Sequence, residues 1–167
     1  MHAAASIPIP PEAKLTSELR NRGNISAADA VETCLWAAIH RETDVGADLI
    51  RWTMARPFDL APGTPYIAAN AFQAVPAPWR EFAGSPERLL AIVHQNEVEP
   101  FGAFQMVGHE GIGSDIEVFT VRLFASDGNL MDSSIMMQRT QNGWKRVHWP
   151  VTLEAIAKQL REVPPPK

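Results

Sequence analysis

The sequence predicts an α+β domain in which N-terminal helices pack on a curved antiparallel meander sheet. Three observations predict it. In the first half Ala27, Ala30, Val31, Cys34, Leu35 and Ala38 recur at helical spacing and would form one apolar stripe. From Asp115 onward the period changes to two, as strands require. Two turn pairs, Asp127-Gly128 and Asn142-Gly143, then divide that second half into segments short enough to pair as hairpins. With 167 residues, 46% hydrophobic and 20% charged, the chain fits one domain better than two. A chain of this length buries roughly two-thirds of its unfolded surface, so its core needs neither a metal nor a disulfide.

Residues 1–11 read as an extended arm, because closely spaced prolines fix the backbone and remove donors. A short helix is expected over residues 12–20, ended by the turn signal Asn21-Arg22-Gly23-Asn24. Ser26 can cap the first strong helix, with Asp29 three residues on, and Trp36 and Ile39 widen its stripe up to residues 40–42. Asp44 can cap a second helix carrying Leu49, Ile50, Trp52 and Met54, which Arg56-Pro57 should stop. Thr64-Pro65 opens a further helix toward Phe72, Pro76 and Pro78 interrupt, and Ser85-Pro86-Glu87 starts another through about Gln95.

Strands follow in sequence order: residues 101–107, a glycine-bearing loop over 108–113, residues 115–124, residues 130–140 and residues 144–149. Thr152 can cap a closing helix with Leu153, Ile156, Ala157 and Leu160 on one face, ended by three prolines. The organisation expected is an arm and short helix over 1–25, a single α+β domain over 26–161 and a tail over 162–167.

Composition excludes several function classes. A net charge of −4 and scattered Arg and Lys leave no basic stripe, so nucleic-acid binding is not expected; Lys145-Arg146 sits beside a turn. The single cysteine, Cys34, can form no intramolecular disulfide and reads as a small buried hydrophobe. No run of about eighteen apolar residues exists to span a membrane. Residues 1–14 lack the charged and apolar regions of a signal peptide, and read as a Pro-rich lead-in or as the front of an exported protein already trimmed.

The helix opening Ser26-Ala27-Ala28-Asp29-Ala30-Val31-Glu32-Thr33-Cys34-Leu35-Trp36-Ala37-Ala38 resembles the first helix of small bacterial members of the nuclear transport factor two-like superfamily, the cystatin-like cone fold. The Asp127-Gly128 hairpin and the strand Asn142-Gly143-Trp144-Lys145-Arg146-Val147 are similar to that family's closing strands. The resemblance covers residues 26–149. It departs in the closing helix and in the broken, proline-rich stretch over 57–86. The resemblance implies a cone whose helices close the concave face of a sheet around a pocket. Some relatives are enzymes, such as ketosteroid isomerase and scytalone dehydratase, and many others bind or associate without chemistry, so fold alone does not choose.

Proton-transfer chemistry on such a scaffold needs a carboxylate or His in an apolar pocket with a donor beside it. Asp132 and His148 are the candidate acid–base pair, since they fall on neighbouring strands; a slip of one residue in register would part them. His94 near a helix end and His109 in a turn read as surface groups, and Asp115 with Glu117 as a solvated strand edge. No H-x-x-x-H spacing joins His40, His94, His109 and His148, and no phosphate loop or nucleophile elbow is present, so no metal or cofactor is expected.

Trp36, Phe119, Met136 and Trp144 are the candidate ligand-contacting side chains. Met131, Met136 and Met137 face both ways along one strand, which suits an apolar lining inside and a homodimer cover outside. The leading expectation is a non-catalytic module binding a small apolar ligand or a protein partner. Its rivals are an isomerase- or dehydratase-type enzyme using Asp132 or His148, and an association domain of a larger protein.

Overall fold

Ser26 opens the first long helix in the way its spacing requires: its backbone is extended, and its Oγ accepts the Asp29 N–H at 3.1 Å. The computed structural model describes residues 9–53 and 67–167. Helix α1 is Ala27–Ile39 and buries Ala27, Ala30, Val31 and Leu35 along one face. Helix α2, Thr43–Asp48, follows at once. Three more helices come before the main strands: α3 (Ala68–Phe72), α4 (Ala77–Ala83) and α5 (Pro86–Val98). Ser85 caps α5, accepting the Arg88 N–H at 3.2 Å, as its Ser-Pro-Glu start predicts. A closing helix α6 spans Pro150–Leu160.

The α+β class expected from the sequence is the one observed. Four strands, β3 (Phe101–Ile112), β4 (Ile116–Ala125), β5 (Leu130–Thr140) and β6 (Gly143–His148), pair antiparallel in sequence order, which is the expected meander. Two short edge strands extend it: β1 (Lys14–Leu15) pairs antiparallel with β3, and β2 (Ile50–Trp52) pairs parallel with β6. The sheet order is β1-β3-β4-β5-β6-β2. Register shifts in β3 beside Gly102 and Val107 add local twist to the long β3–β4 hairpin.

Several expected elements are corrected. The helix expected over residues 12–20 is instead β1 followed by a single 3-10 turn, Thr16–Glu18, because Lys14 and Leu15 complete the exposed edge of β3. Residues 50–52 leave the second helix for the sheet, where alternating Ile50 and Trp52 pair beside Arg146 and His148. Pro78 does not interrupt but lies in the first turn of α4, where a missing N–H costs nothing. Trp149, not Thr152, is the N-cap of α6. The expected loop over 108–113 continues β3 as far as Ile112. The Arg56-Pro57 stop, the Thr64-Pro65 helix start and the proline-bearing arm over residues 1–8 lie outside the described residues.

Two apolar clusters hold the fold. One packs Ala27, Ala30, Val31 and Leu35 of α1 onto Phe104, Phe119, Val121, Leu123, Ile135, Met137 and Trp144 of the sheet. The other gathers the later helices around Leu89, Leu90, Trp79 and Leu153, and takes in Ile50 from β2. Helix α5 serves both: Leu89 to Ile92 belong to the second cluster, and Val98 packs against the first. Cross-strand partners share a face. The pairs Phe119–Ile135, Val121–Ser133, Leu123–Met131 and Met137–Arg146 therefore define the inner face, and Trp144 and His148 follow Arg146 at period two.

Candidate functional site

Two neighbouring regions of the inner face bring polar and titratable side chains beside cavities. The first is a hollow of about 370 Å³ between α1 and the β3–β4 hairpin. Its floor is apolar, made by Leu19, Leu35, Phe104 and Val121, which are buried, with Met106 and Ala28 at the open side. Its polar wall is Glu12, Lys14, Glu32 and Gln105. That volume lies in the usual range of small-molecule sites, and so does the mixture of an apolar floor with few fixed polar groups. A second open groove of about 390 Å³ is bordered by Asn21, Asn24, Asp48, Asn142 and Lys145 and lacks a comparable apolar floor.

Glu32 organises the polar wall. It interrupts the apolar stripe of α1 yet is only 7% exposed. Its carboxylate accepts Lys14 Nζ at 2.5 Å, Arg22 Nε at 2.7 Å and the Arg20 backbone N–H at 3.0 Å. Burial disfavours the charged form, but those three donors outweigh it and hold the carboxyl below its ordinary value. Glu32 thereby ties the segment before α1 to the helix and fixes Lys14 at the rim of the hollow. Arg22 adds its backbone N–H to Thr33 Oγ1 at 2.9 Å, so the strap is fastened twice to α1.

The second region lies beside the first, where half-buried His94 and Arg146 meet buried His148. His94 of α5 and His148 of β6 stand with ring centroids 5.2 Å apart, and Trp52 of β2 lies 5.9 Å from His148 on another side. Arg146 Nη1 reaches His94 Nδ1 at 3.4 Å. Desolvation and the Arg146 charge lower both imidazoles: His148 falls to about 3 and His94 well below its usual value, so both are neutral at pH 7. Desolvation also pushes the nearby Cys34 thiol up to about 11, which leaves it unionised and a poor nucleophile. The Arg146 guanidinium is itself lowered by desolvation, against the pull of Cys34 and Glu97. Two small voids flank this group, one of about 10 Å³ toward α1 and α2 and one of about 40 Å³ toward β4 and β5.

No family model matches the chain. No curated protein matches it either. A solved structure that does match is a Campylobacter jejuni protein described as "Putative NTF2-like transpeptidase". It is 11% identical with a TM-score of 0.44, and the alignment covers 72% of this chain and 96% of that one. NTF2-like is the superfamily that the capped first helix and the two hairpins resemble. At this level of likeness no residue or activity of that protein carries across to this one.

The expected acid–base pair is split by the sheet. Asp132 is partnered with Arg122 in the ladder and lies on the outer face, where Arg122 Nε and Nη2 donate to its two oxygens at 2.9 and 3.1 Å. Arg122 holds that exposed carboxyl below its usual value. His148 falls on the inner face with Arg146, so the single-residue parity of the ladder parts the two candidates. Among the ligand candidates, Phe119 and Trp144 are buried in the inner cluster, Trp36 packs against it beside His40, and Met136 pairs with Val118 on the outer face. None of the four borders the hollow. His109 matches its expected exposed place, stacked on Phe119 and 3.3 Å from Glu117.

His94 reads from the sequence as a surface group near a helix end, Arg146 as half of a basic pair beside a turn, and Glu32 as one residue of the α1 stretch with no role of its own. The signal for Arg146 was present: Trp144, Arg146 and His148 alternate on one strand, so an inward Trp144 takes Arg146 inward with it. His94 was hidden by an underestimated helix, since α5 continues to Val98 and leaves it one turn short of the end. No cluster able to hold a metal ion exists among the described residues, and no helix there is long and apolar enough to cross a membrane.

Proposed function

We propose that this chain is a binding module for a small, largely apolar molecule, held in the hollow between α1 and β3–β4 without chemical conversion. One observation carries the reading: a ligand-sized space on the inner face has an apolar floor and a single organised polar wall. Leu19, Leu35, Phe104 and Val121 would exclude water from the body of the ligand. Lys14, held by Glu32, and Gln105 would form the polar rim around it. The acid–base pair required by an isomerase or dehydratase reading does not assemble here, because Asp132 and His148 occupy opposite faces of the sheet.

Ala28 provides the test. It is an exposed residue of α1 that borders the hollow, so a large side chain there fills the space without entering the core. Ala28→Trp is expected to weaken binding of an apolar fluorescent probe or of n-octanol at least ten-fold, with a thermal midpoint close to that of the wild type. Unchanged affinity in Ala28→Trp would place the binding surface elsewhere.

A further inference from the structure

The three spaces adjoin one another. Leu35 and Val121 border both the open hollow and the 40 Å³ chamber, and His94 and Arg146 border both that chamber and the 10 Å³ void. Arg146 thus stands in the partition between two voids, below the floor of the hollow. Among the described residues no carboxylate makes an ion pair with it, and its one side-chain hydrogen-bond contact is the neutral His94 ring. Glu97 lines the chamber at its exposed rim, where it acts on Arg146 only at a distance. A guanidinium carries five N–H donors; Arg146 is half-buried, and the one ring it meets leaves donors available to an anion in the chamber. Next to His94 but outside the chamber lining, His148 is 8% exposed, and among the described residues its Nε2 has no hydrogen-bond partner.

We propose that the 40 Å³ chamber bounded by Arg146, His94 and Ser133 is a carboxylate site, so that the molecule this module binds is an organic monoacid. Charge selects a monoanion, since Arg146 is the one Lys or Arg lining the chamber. A dianion such as phosphate would leave uncompensated negative charge next to one cation, with Glu97 at the rim. Size selects a small head group, since a buried water needs about 10–15 Å³ of such volume and the chamber offers about 40 Å³. The remaining walls, Leu35, Leu123 and Ile135, are apolar and suit the stem of the acid, which would pass Leu35 and Val121 into the hollow. Only the placement of that stem rests on the hollow being the binding site; the site at Arg146 stands on its own.

The test uses the full chain at pH 7.5 and constant ionic strength, with sodium octanoate, sodium acetate and n-octanol as probes. The readouts are the Arg146 Nε–H resonance and the thermal midpoint. Octanoate is expected to shift that resonance and raise the midpoint by several degrees. Acetate should shift the same resonance at concentrations at least ten-fold higher, which shows that the head group alone finds the site. Octanol should leave the resonance in place. Arg146→Met, which has no such resonance, should lose the octanoate-induced rise in midpoint while still binding octanol.

If Arg146→Met does not fold, Ser133→Leu fills the chamber with the guanidinium intact and must lose both acid responses. An Arg146 resonance unmoved at saturating octanoate overturns the proposal, as does an Arg146→Met protein that responds like the wild type. Octanol binding with no preference for the acid would overturn this site and leave the hollow standing. Absence of all binding would remove both.

Discussion

Acidification from pH 7 to pH 4.5 is expected to destabilise this protein by about 2–3 kcal/mol through His148 alone. The sign follows from linkage. In the unfolded chain His148 takes up its proton near the model value of 6.5, whereas in the fold it does so only at about 3. Between those values the unfolded state binds more protons, so stability is complete above about pH 6.5 and is lost as pH falls toward 3. His94 is shifted in the same direction by desolvation, by Arg146 and by His148, and adds to the loss. Glu97 opposes it weakly, because burial raises its carboxyl and its protonated form is favoured in the fold.

The decisive variant is His148→Phe. It keeps a flat ring against Trp52 and removes a buried nitrogen that has no partner, so it should be neutral or stabilising at pH 7. Chemical denaturation across pH 4.5–7.5 should then show a much flatter profile than the wild type. An unchanged pH profile in His148→Phe would assign the acid sensitivity to other groups.

Gly143→Ala is expected to be severely destabilising, by about 4 kcal/mol or more, from two effects that add. The residue sits at φ +89°, a left-handed conformation that alanine resists. A Cβ there would also lie 2.6 Å from the Asn24 backbone oxygen and 2.6 Å from its side-chain nitrogen. Asn24 cannot simply withdraw. Its carbonyl accepts the Trp144 N–H at 2.8 Å, and its Nδ2 donates to the Asn142 and Trp144 carbonyls at 2.9 and 3.1 Å.

The contact staples the β5–β6 hairpin to the segment that enters α1, so moving Asn24 disturbs both. Gly113→Ala is the matched control: φ is +65°, but a Cβ would meet nothing within 4 Å, so only the backbone penalty of about 1 kcal/mol applies. Thermal unfolding of the two variants should therefore differ by several degrees. Equal losses at the two positions would mean that the Asn24 contact contributes nothing.

These two sites show where the chain is readable and where it is not. Asn142-Gly143 announces a hairpin locally, because the turn itself demands a residue tolerant of positive φ. That the same glycine must also admit the Asn24 carbonyl depends on a partner 119 positions away, and no local pattern carries it. Ser26, Ser85 and the β3–β6 meander were legible for the same local reason. The edge strands β1 and β2 were not: two and three residues are too few to display a period, and β2 is defined only by its parallel partner β6. The inner polar group was half legible. His148 stood out as a titratable residue on a strand, but its partner was misassigned, since the parity of β5 turns Asp132 outward while the parity of β6 brings in Arg146.

The most direct test of the binding-module reading is a methyl-resolved NMR titration of the full chain with n-octanol, an uncharged probe. Saturable shifts are expected at Leu19 and Met106, which line the hollow and not the chamber, and at Leu35 and Val121, which border both, with Val118 and Met136 on the outer face unmoved. Shifts at Val118 and Met136 instead, or none at Leu35 and Val121 at saturating probe, would contradict it.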